Sequence, residues 1–187
     1  MKKTIIVVLL FAALCALPLS AQSDNRAGVI VSHFSPREFA TGAIPRADLE
    51  LIVRAGVRAP SAANRQPWHF TVVQNLDLAK RAVPQVVEGN VLIIVSTDGD
   101  SSTNTRDILD CALATQSIYL AAQAIGLNSR IYTGPIEAFN RDLKTAFGLP
   151  SGHSAVALVR IGRYAPGADA TTGASPRNAA SSMVTYR

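Results

Sequence analysis

Cysteine is scarce: the 187-residue chain holds two, and one of them, Cys15, lies inside an N-terminal apolar run. If that run is removed on export, Cys111 alone remains. No internal disulfide could then form even in an oxidising compartment, and stability must come from packing, within the chain or across a dimer. A lone cysteine beside Ala112, Leu113 and Ala114 reads as a small core residue, not a nucleophile. Charge is thin as well: Asp, Glu, Lys and Arg make up 17% of the chain and the formal net charge is +5. The basic residues are scattered without interleaved aromatics, which argues against a nucleic-acid surface, although a site for one phosphate group needs no more charge than this. The apolar run Ile5–Leu17 is too short to cross a bilayer comfortably, and no second run of about 18 apolar residues follows it. The common catalytic signatures are missing too. There is no GxxxxGK, no GxGxxG after a strand pattern, and GHSAV at 152–156 lacks the second glycine of a nucleophile elbow, so His153 and Ser154 are expected in a loop. His33, His69 and His153 are not spaced as ligands on one element and no carboxylate cluster accompanies them, so no metal site is expected.

What is present begins with Lys2 and Lys3, the apolar run, then Pro18 and small residues through Ala21. That is the layout of a secretory signal peptide, with cleavage expected after Ala21. A lipoprotein signal at Cys15 is disfavoured by Leu14 directly before it, where a small residue is wanted. The expectation is an exported protein, periplasmic or secreted, with no membrane anchor after cleavage. Removal of residues 1–21 leaves 166 of the 187 residues, a length that suits one domain at 22–187 with a real core, and the loss of Lys2 and Lys3 brings the net charge to +3.

Along that domain, Ala27–Ser32 reads as a short helix stopped by Ser35 and Pro36. Pro45 at a first turn, early Asp48 and Glu50, and Leu49, Ile52, Val53 and Val57 at helical spacing predict a helix that ends before Pro60. Phe70–Val73 reads as a strand and Leu76–Ala82 as a helix halted by Pro84. Asn90–Val95 is the clearest strand, its continuous VLIIV run implying cover on both faces, and 96–105 is expected to be loop. Asp107–Ile125 predicts a long helix, with Ile108, Cys111, Ala112, Ile118, Ala122 and Ile125 on one face and small residues over much of the rest, buried nearly all round. A strand at Arg130–Thr133, a helix at Glu137–Phe147 and a last strand at Ala155–Ile161 complete the pattern. Four or five short strands mixed with helices imply a three-layer α/β or α+β domain. From about residue 165 the chain has few large apolar groups and becomes an extended tail, free or lying on a partner chain.

Four segments stand out: SHFSPREF at 32–39, RAPSAANRQPWHF at 58–70, DCALATQSIYLAAQAIGL at 110–127 and TGPIEAF at 133–139. Together, in this order and spacing, they resemble the nitroreductase family from about Val29 to Arg177. The resemblance implies a three-layer sandwich, a central mostly antiparallel sheet flanked by helices, in a domain-entwined homodimer with FMN at the interface and held by both chains. Against the family pattern RRSVRxF, Ser35, Arg37 and Phe39 match, while His33 and Phe34 replace the two leading arginines. By resemblance Ser35 binds polar groups of the flavin, Arg37 faces the pyrimidine edge where reduction places negative charge, His33 reaches the phosphate as a weaker, pH-dependent donor, and Phe34 belongs to the same cofactor-binding segment. Pro60 and Ser61 form a turn whose backbone can approach a flat ring, with Ala62 and Ala63 small enough to avoid collision. By resemblance Pro60, Ser61 and Ala62 reach the flavin of the other subunit, with Asn64 and Gln66 pinning the loop and Trp68 anchoring it. Pro135, Ile136, Glu137 and Ala138 correspond to the segment that presents backbone N–H to flavin N5, although the family often has glycine at the place of Ala138. Gln85 aligns loosely with an amide that bonds the ring edge, and Arg177 with a C-terminal basic residue that binds the phosphate.

No catalytic side chain is implied, because the chemistry lies at flavin N5. The expected activity is electron transfer from NAD(P)H through FMN to an electron-poor small molecule, a nitroaromatic or quinone. The short Val73–Asn90 segment leaves little material for a lid, so the pocket is expected to be open. The alternative is an exported flavin- or ligand-binding module that has lost turnover, motivated by export away from NAD(P)H and by His33 and Ala138.

Overall fold

The computed structural model describes residues 28–100, 103–164 and 176–187. The expected signal segment and the first part of the tail, 165–175, lie outside them. The chain divides into two units, 1–32 and 33–187. In the first, residues 28–32 are helical, as expected from the break at Ser35 and Pro36, and the Ser32 hydroxyl donates to the Gly28 carbonyl at 2.6 Å.

In the second unit, helix α1 spans Arg46–Val57. Pro45 pre-sets the entry and its carbonyl accepts from Leu49 N–H at 3.2 Å; Leu49, Ile52 and Gly56 form the buried face. A Cβ on Gly56 would stand 2.8 Å from the Ile118 side chain, so the missing side chain sets how closely two helices approach. Helix α2, Leu76–Ala82, is capped by the Asn75 side chain, which accepts from Leu78 N–H at 2.9 Å, and stops before Pro84 as predicted. Helix α3, Thr105–Ala124, is capped by Asn104, and the short helix α4 spans Ile136–Asp142.

The strands are β1 Phe39–Ala40, β2 Trp68–Val73, β3 Val91–Asp98, β4 Asn128–Tyr132 and β5 His153–Tyr164, all paired antiparallel. Strand β3 lies between β2 and β5, while β1 and β4 both pair with β5. Period-two alternation then sorts the core. Val91, Ile93 and Val95 pack with Leu49, Ile52, Cys111, Ile118 and Ala122 of α1 and α3. Leu92 and Ile94 pack with Ala79, Ala82, Phe139 and Phe147 on the α2 and α4 side. Helices therefore cover both faces of the sheet, the expected three layers, and the VLIIV run is fully buried as its composition demanded.

Several expectations need correction. His153 and Ser154 are not loop residues: β5 begins at His153, and the two pair with Asp98 and Thr97 of a β3 that runs three residues past Val95. The polar side chains hid this because strand pairing there is carried by the backbone. Strand β1 was not anticipated, since two residues carry no periodicity. The helix expected over Glu137–Phe147 stops at Asp142, and turns carry Phe147 back onto Phe139, ring centroids 4.9 Å apart. Helix α3 is not buried all round: Leu109 is 61% and Leu113 47% exposed, and Ala112, placed on the core face by its apolar character, is exposed beside them. An apolar pattern reports what a side chain prefers, and none of the described residues covers that side of α3.

Gly89 has φ +80°, and a Cβ there would lie 2.3 Å from the Gly42 backbone, whereas Gly126, also at φ +80°, faces open space. Chemical denaturation should therefore show Gly126→Ala costing about 1 kcal/mol of left-handed strain, and Gly89→Ala clearly more, because the two backbones must separate. Equal costs would contradict the close approach.

Candidate functional site

The 33–39 segment is pinned to the far end of α3. Gln123 grips the backbone of Phe34 in both directions, its Oε1 accepting from Phe34 N–H at 3.3 Å and its Nε2 donating to Phe34 O at 3.0 Å. The same Nε2 reaches the Ser129 hydroxyl, which in turn donates to Tyr119 O at 2.7 Å. Ser35 Oγ donates to Ser129 O at 3.2 Å, and Arg130 Nη1 to Pro36 O at 3.2 Å. His33 packs edge-on to Tyr119, and its Nδ1 is buried without a hydrogen-bond partner among the described residues. Phe34 packs edge-on to Tyr164. Arg37, by contrast, is exposed and holds no ion pair among the described residues.

The 60–66 loop is tied to the opposite end of α3. Asp110 Oδ1 accepts from Ala62 N–H at 3.0 Å, and Arg65 forms an ion pair with Asp107 and lies 3.9 Å from Asp110. Asn104 caps the helix and also bonds the Asp107 carboxylate. Within the loop, Gln66 N–H donates to Ser61 Oγ at 3.0 Å and its side chain to Asn64 O and Oδ1, so Asn64 and Gln66 do brace the turn. Three residues that are not glycine stand in the left-handed region: Ala63 at φ 53°, Asn64 at 54° and Gln66 at 48°. Such backbone is costly and persists where the surroundings over-determine it. Pro60 and Ala62 to Gln66 are exposed, with small side chains at 62 and 63. Trp68 is on β2, half-buried and stacked on Phe70 with centroids 6.4 Å apart.

The third segment turns from β4 into α4. Ile136 N–H donates to Thr133 O and Phe139 N–H to Pro135 O at 2.8 Å; Glu137 and Ala138 are exposed, and a Cβ on Gly134 would meet nothing. Gln85 is exposed in the turn between α2 and β3, joined to none of the other segments, and Arg177 is exposed in the tail. Within one chain the first two motifs do not meet. Their anchors, Asp110 and Gln123, are separated along α3 by about 20 Å at about 1.5 Å per residue.

The residues that hold both motifs, Gln123, Ser129, Arg130, Arg65, Asp107 and Asp110, escape a reading that looks for ligand contacts. The two aspartates left a signal all the same: carboxylates at i and i+3 on the otherwise apolar face of a helix must have partners. Cys111 is buried beside them, and burial, reinforced by Asp107 and Asp110, pushes its thiol up to about 12. It is inert at neutral pH, as the sequence suggested. A cleft of roughly 530 Å³ lies between α1 and β2 and another of roughly 370 Å³ at Lys144–His153, and none of the predicted site residues lines either.

Asp110→Ala leaves the Ala62 N–H without its acceptor, whereas Asp110→Asn keeps one. Hydrogen exchange at the Ala62 amide should speed up strongly in the first and little in the second, with a stability loss of about 1–3 kcal/mol for alanine. Identical exchange in both would remove Asp110 as the clamp. A second prediction concerns His153, whose ring burial and then the neighbouring His69 hold below its usual 6.5, Asp98 opposing them. The unfolded chain protonates first as pH falls, so this contribution to stability is present above about pH 6.5 and lost through the folded value. Urea midpoints should drop between pH 7.5 and 5.5, and His153→Gln should narrow that drop. A variant as pH-sensitive as the parent would contradict it.

Comparison with known proteins meets this geometry from outside. The model of the nitroreductase family matches residues 30–92 and 85–163. A protein of Archaeoglobus fulgidus named for NADH dehydrogenase/NAD(P)H nitroreductase activity is 32% identical over 144 residues, 72% of this chain and 82% of that one. Among solved structures, a Bacteroides fragilis nitroreductase with bound FMN superposes with a TM-score of 0.69 at 24% identity, over 86% of this chain and 97% of that one. The NADPH:FMN oxidoreductase of Vibrio harveyi, solved with NAD+, gives a TM-score of 0.72 at 20% identity, over 87% and 76%. These structures share the fold: a sheet covered on both faces by helices. With the family model spanning both motifs and most of the described sheet, the chain belongs to the nitroreductase family.

Proposed function

We propose that this chain is an FMN-dependent oxidoreductase that passes electrons from NAD(P)H to an electron-poor small molecule, a nitroaromatic or quinone, and works as a homodimer with FMN at the interface. The observation that carries the reading is the 61–66 turn, where left-handed backbone is held by Asp107 and Asp110 and presents small side chains outward. A rigid, exposed main-chain platform of this kind suits a flat aromatic ring. The residues present fit the group: Arg37 offers an exposed guanidinium, and His33 carries a buried, unpartnered ring nitrogen in the same segment. His33, Phe34, Ser35, Arg37, Pro60, Ser61, Ala62, Asn64, Pro135, Ile136, Glu137, Ala138 and Arg177 are the proposed binding set, with Gln85 at its margin.

When bound, FMN supplies the hydride-accepting and hydride-donating centre. The chain's own part is position and charge. Ser61 and Ala62 form the platform, Asp110 fixes its height, Gln123 fixes the 33–37 segment, and Arg37 places a positive charge where it favours an electron-rich ring. The homodimer is supported by two facts of the single chain. The motifs sit at opposite ends of α3, too far apart to serve one ring, and Leu109, Ala112 and Leu113 lie uncovered on that helix. Export is proposed on the layout of residues 1–21 alone, and intact-mass measurement of secreted material should find Gln22 first.

The purified mature chain should be yellow, bleach under NADH or NADPH without oxygen, and regain its colour with a nitroaromatic. Bound flavin that does not bleach would favour the binding module without turnover, and a chain that cannot be loaded with FMN would end the proposal. Arg37→Ala should weaken FMN retention roughly tenfold or more and slow bleaching. Unchanged binding and reduction would remove Arg37 from the site.

A further inference from the structure

The three histidines are not spaced as ligands on one element, but the sheet brings two of them together from different strands. His69 on β2 stands opposite Ser96 of β3, and His153 on β5 stands opposite Asp98. Residues opposed across a ladder share a face, and so do positions two apart on one strand. His69, Ser96, Asp98 and His153 therefore all emerge on the α2 and α4 side of the sheet, continuing the Leu92 and Ile94 row past the end of its core.

The two imidazoles meet nearly at right angles with ring centres 5.7 Å apart. Nδ1 of His153 lies 3.4 Å from the Ser96 hydroxyl, which itself donates to the His69 carbonyl at 3.4 Å. With that hydroxyl proton committed, His153 donates from Nδ1 and carries its lone pair on Nε2. A ring braced through one nitrogen and free at the other is the arrangement of a ligating histidine with its supporting partner. Room is present, since His69 is exposed and His153 lines the cleft of roughly 370 Å³. Asp98 is exposed beside them, its Oδ1 accepting from Gly99 N–H at 3.0 Å, and adds negative charge. The Lys144 ammonium is turned to the His153 carbonyl at 3.3 Å.

We infer that His69 and His153 form a binding site for one borderline divalent transition-metal ion, of the Zn²⁺, Ni²⁺ or Cu²⁺ class that imidazole suits. A metal about 2.0–2.1 Å from each ring nitrogen sets the two ring centres about 5 Å apart at a tetrahedral angle. The observed 5.7 Å closes to that with small side-chain rotations. Among the described residues no three His, Cys, Asp or Glu side chains form a ready cage, so water completes the shell and Asp98 acts through it. The ion ties the edge strand β2, which follows the 61–66 turn, to β5 across β3. The site rests on neither the flavin nor the dimer.

The test titrates the untagged chain, stripped of metal by a chelator and dialysed, with ZnCl2 and separately with MgCl2. Zn²⁺ should bind at one ion per chain and raise the melting temperature progressively, while Mg²⁺, which takes oxygen ligands, should do neither. The imidazole proton resonances of His69 and His153 should shift together on adding Zn²⁺, and those of His33 should stay. His69→Gln and His153→Gln should each weaken Zn²⁺ binding about tenfold or more. His69→Cys, at an exposed position, should bind Zn²⁺ again through its thiolate, which separates loss of a ligand from damage to the fold. If His153→Gln does not fold, the two His69 variants decide alone. Zn²⁺ held as tightly by His69→Gln as by the parent, a shift at His33 alone, or a parent indifferent to Zn²⁺ would each overturn the inference.

Discussion

Strand β3 is held between two antiparallel neighbours and covered on both faces, and the other elements take their places from it. Five consecutive apolar side chains at Val91–Val95 send alternate residues into two separate cores, so each face can be stable only if a helical layer closes it. Helices α1 and α3 close one face and α2 and α4 the other. Because α3 is long and packs along the sheet, it presents its two ends at distant points of the molecule, and the two principal motifs attach there.

The attachments differ in kind. At the N-terminal end carboxylates hold a turn: Asp110 takes a backbone N–H and Asp107 pairs with Arg65, both aspartates nearly withdrawn from water. At the other end a neutral amide does the work, with Gln123 closing a two-bond clasp on Phe34 that a strand residue would otherwise make. One end fixes a costly backbone shape through charge, and the other fixes an extended segment through amide geometry. Both hold the motif chiefly by its backbone, with Arg65 the motif's own contribution at the first end and Ser35 at the second.

This division explains what could be read from the sequence. The three layers, most of the elements and the identity of the motifs were legible because they follow from apolar spacing, prolines and a dense family pattern. Leu76–Ala82 was legible to the residue, since Asn75 and Pro84 bracket it. The exposed flank of α3 was misjudged because leucine and alanine look alike in sequence whether they face a sheet or the surface. The supports of the site were illegible for a different reason. Gln123 and Arg130 act on backbone atoms far away in sequence, and a backbone carbonyl or N–H leaves no trace in residue type.

Helix α3 also acts as a gauge between its two ends. A helix advances about 1.5 Å and turns about 100° per residue. One residue inserted between Asp110 and Gln123 would therefore shift the ends little along the axis but rotate one attachment a quarter-turn or more against the other. Strands can slip and loops can lengthen without that penalty. The span from 110 to 123 should tolerate exchange of side chains far better than any change in length, which makes the length of this helix, more than its composition, the quantity that fixes the phase of the site.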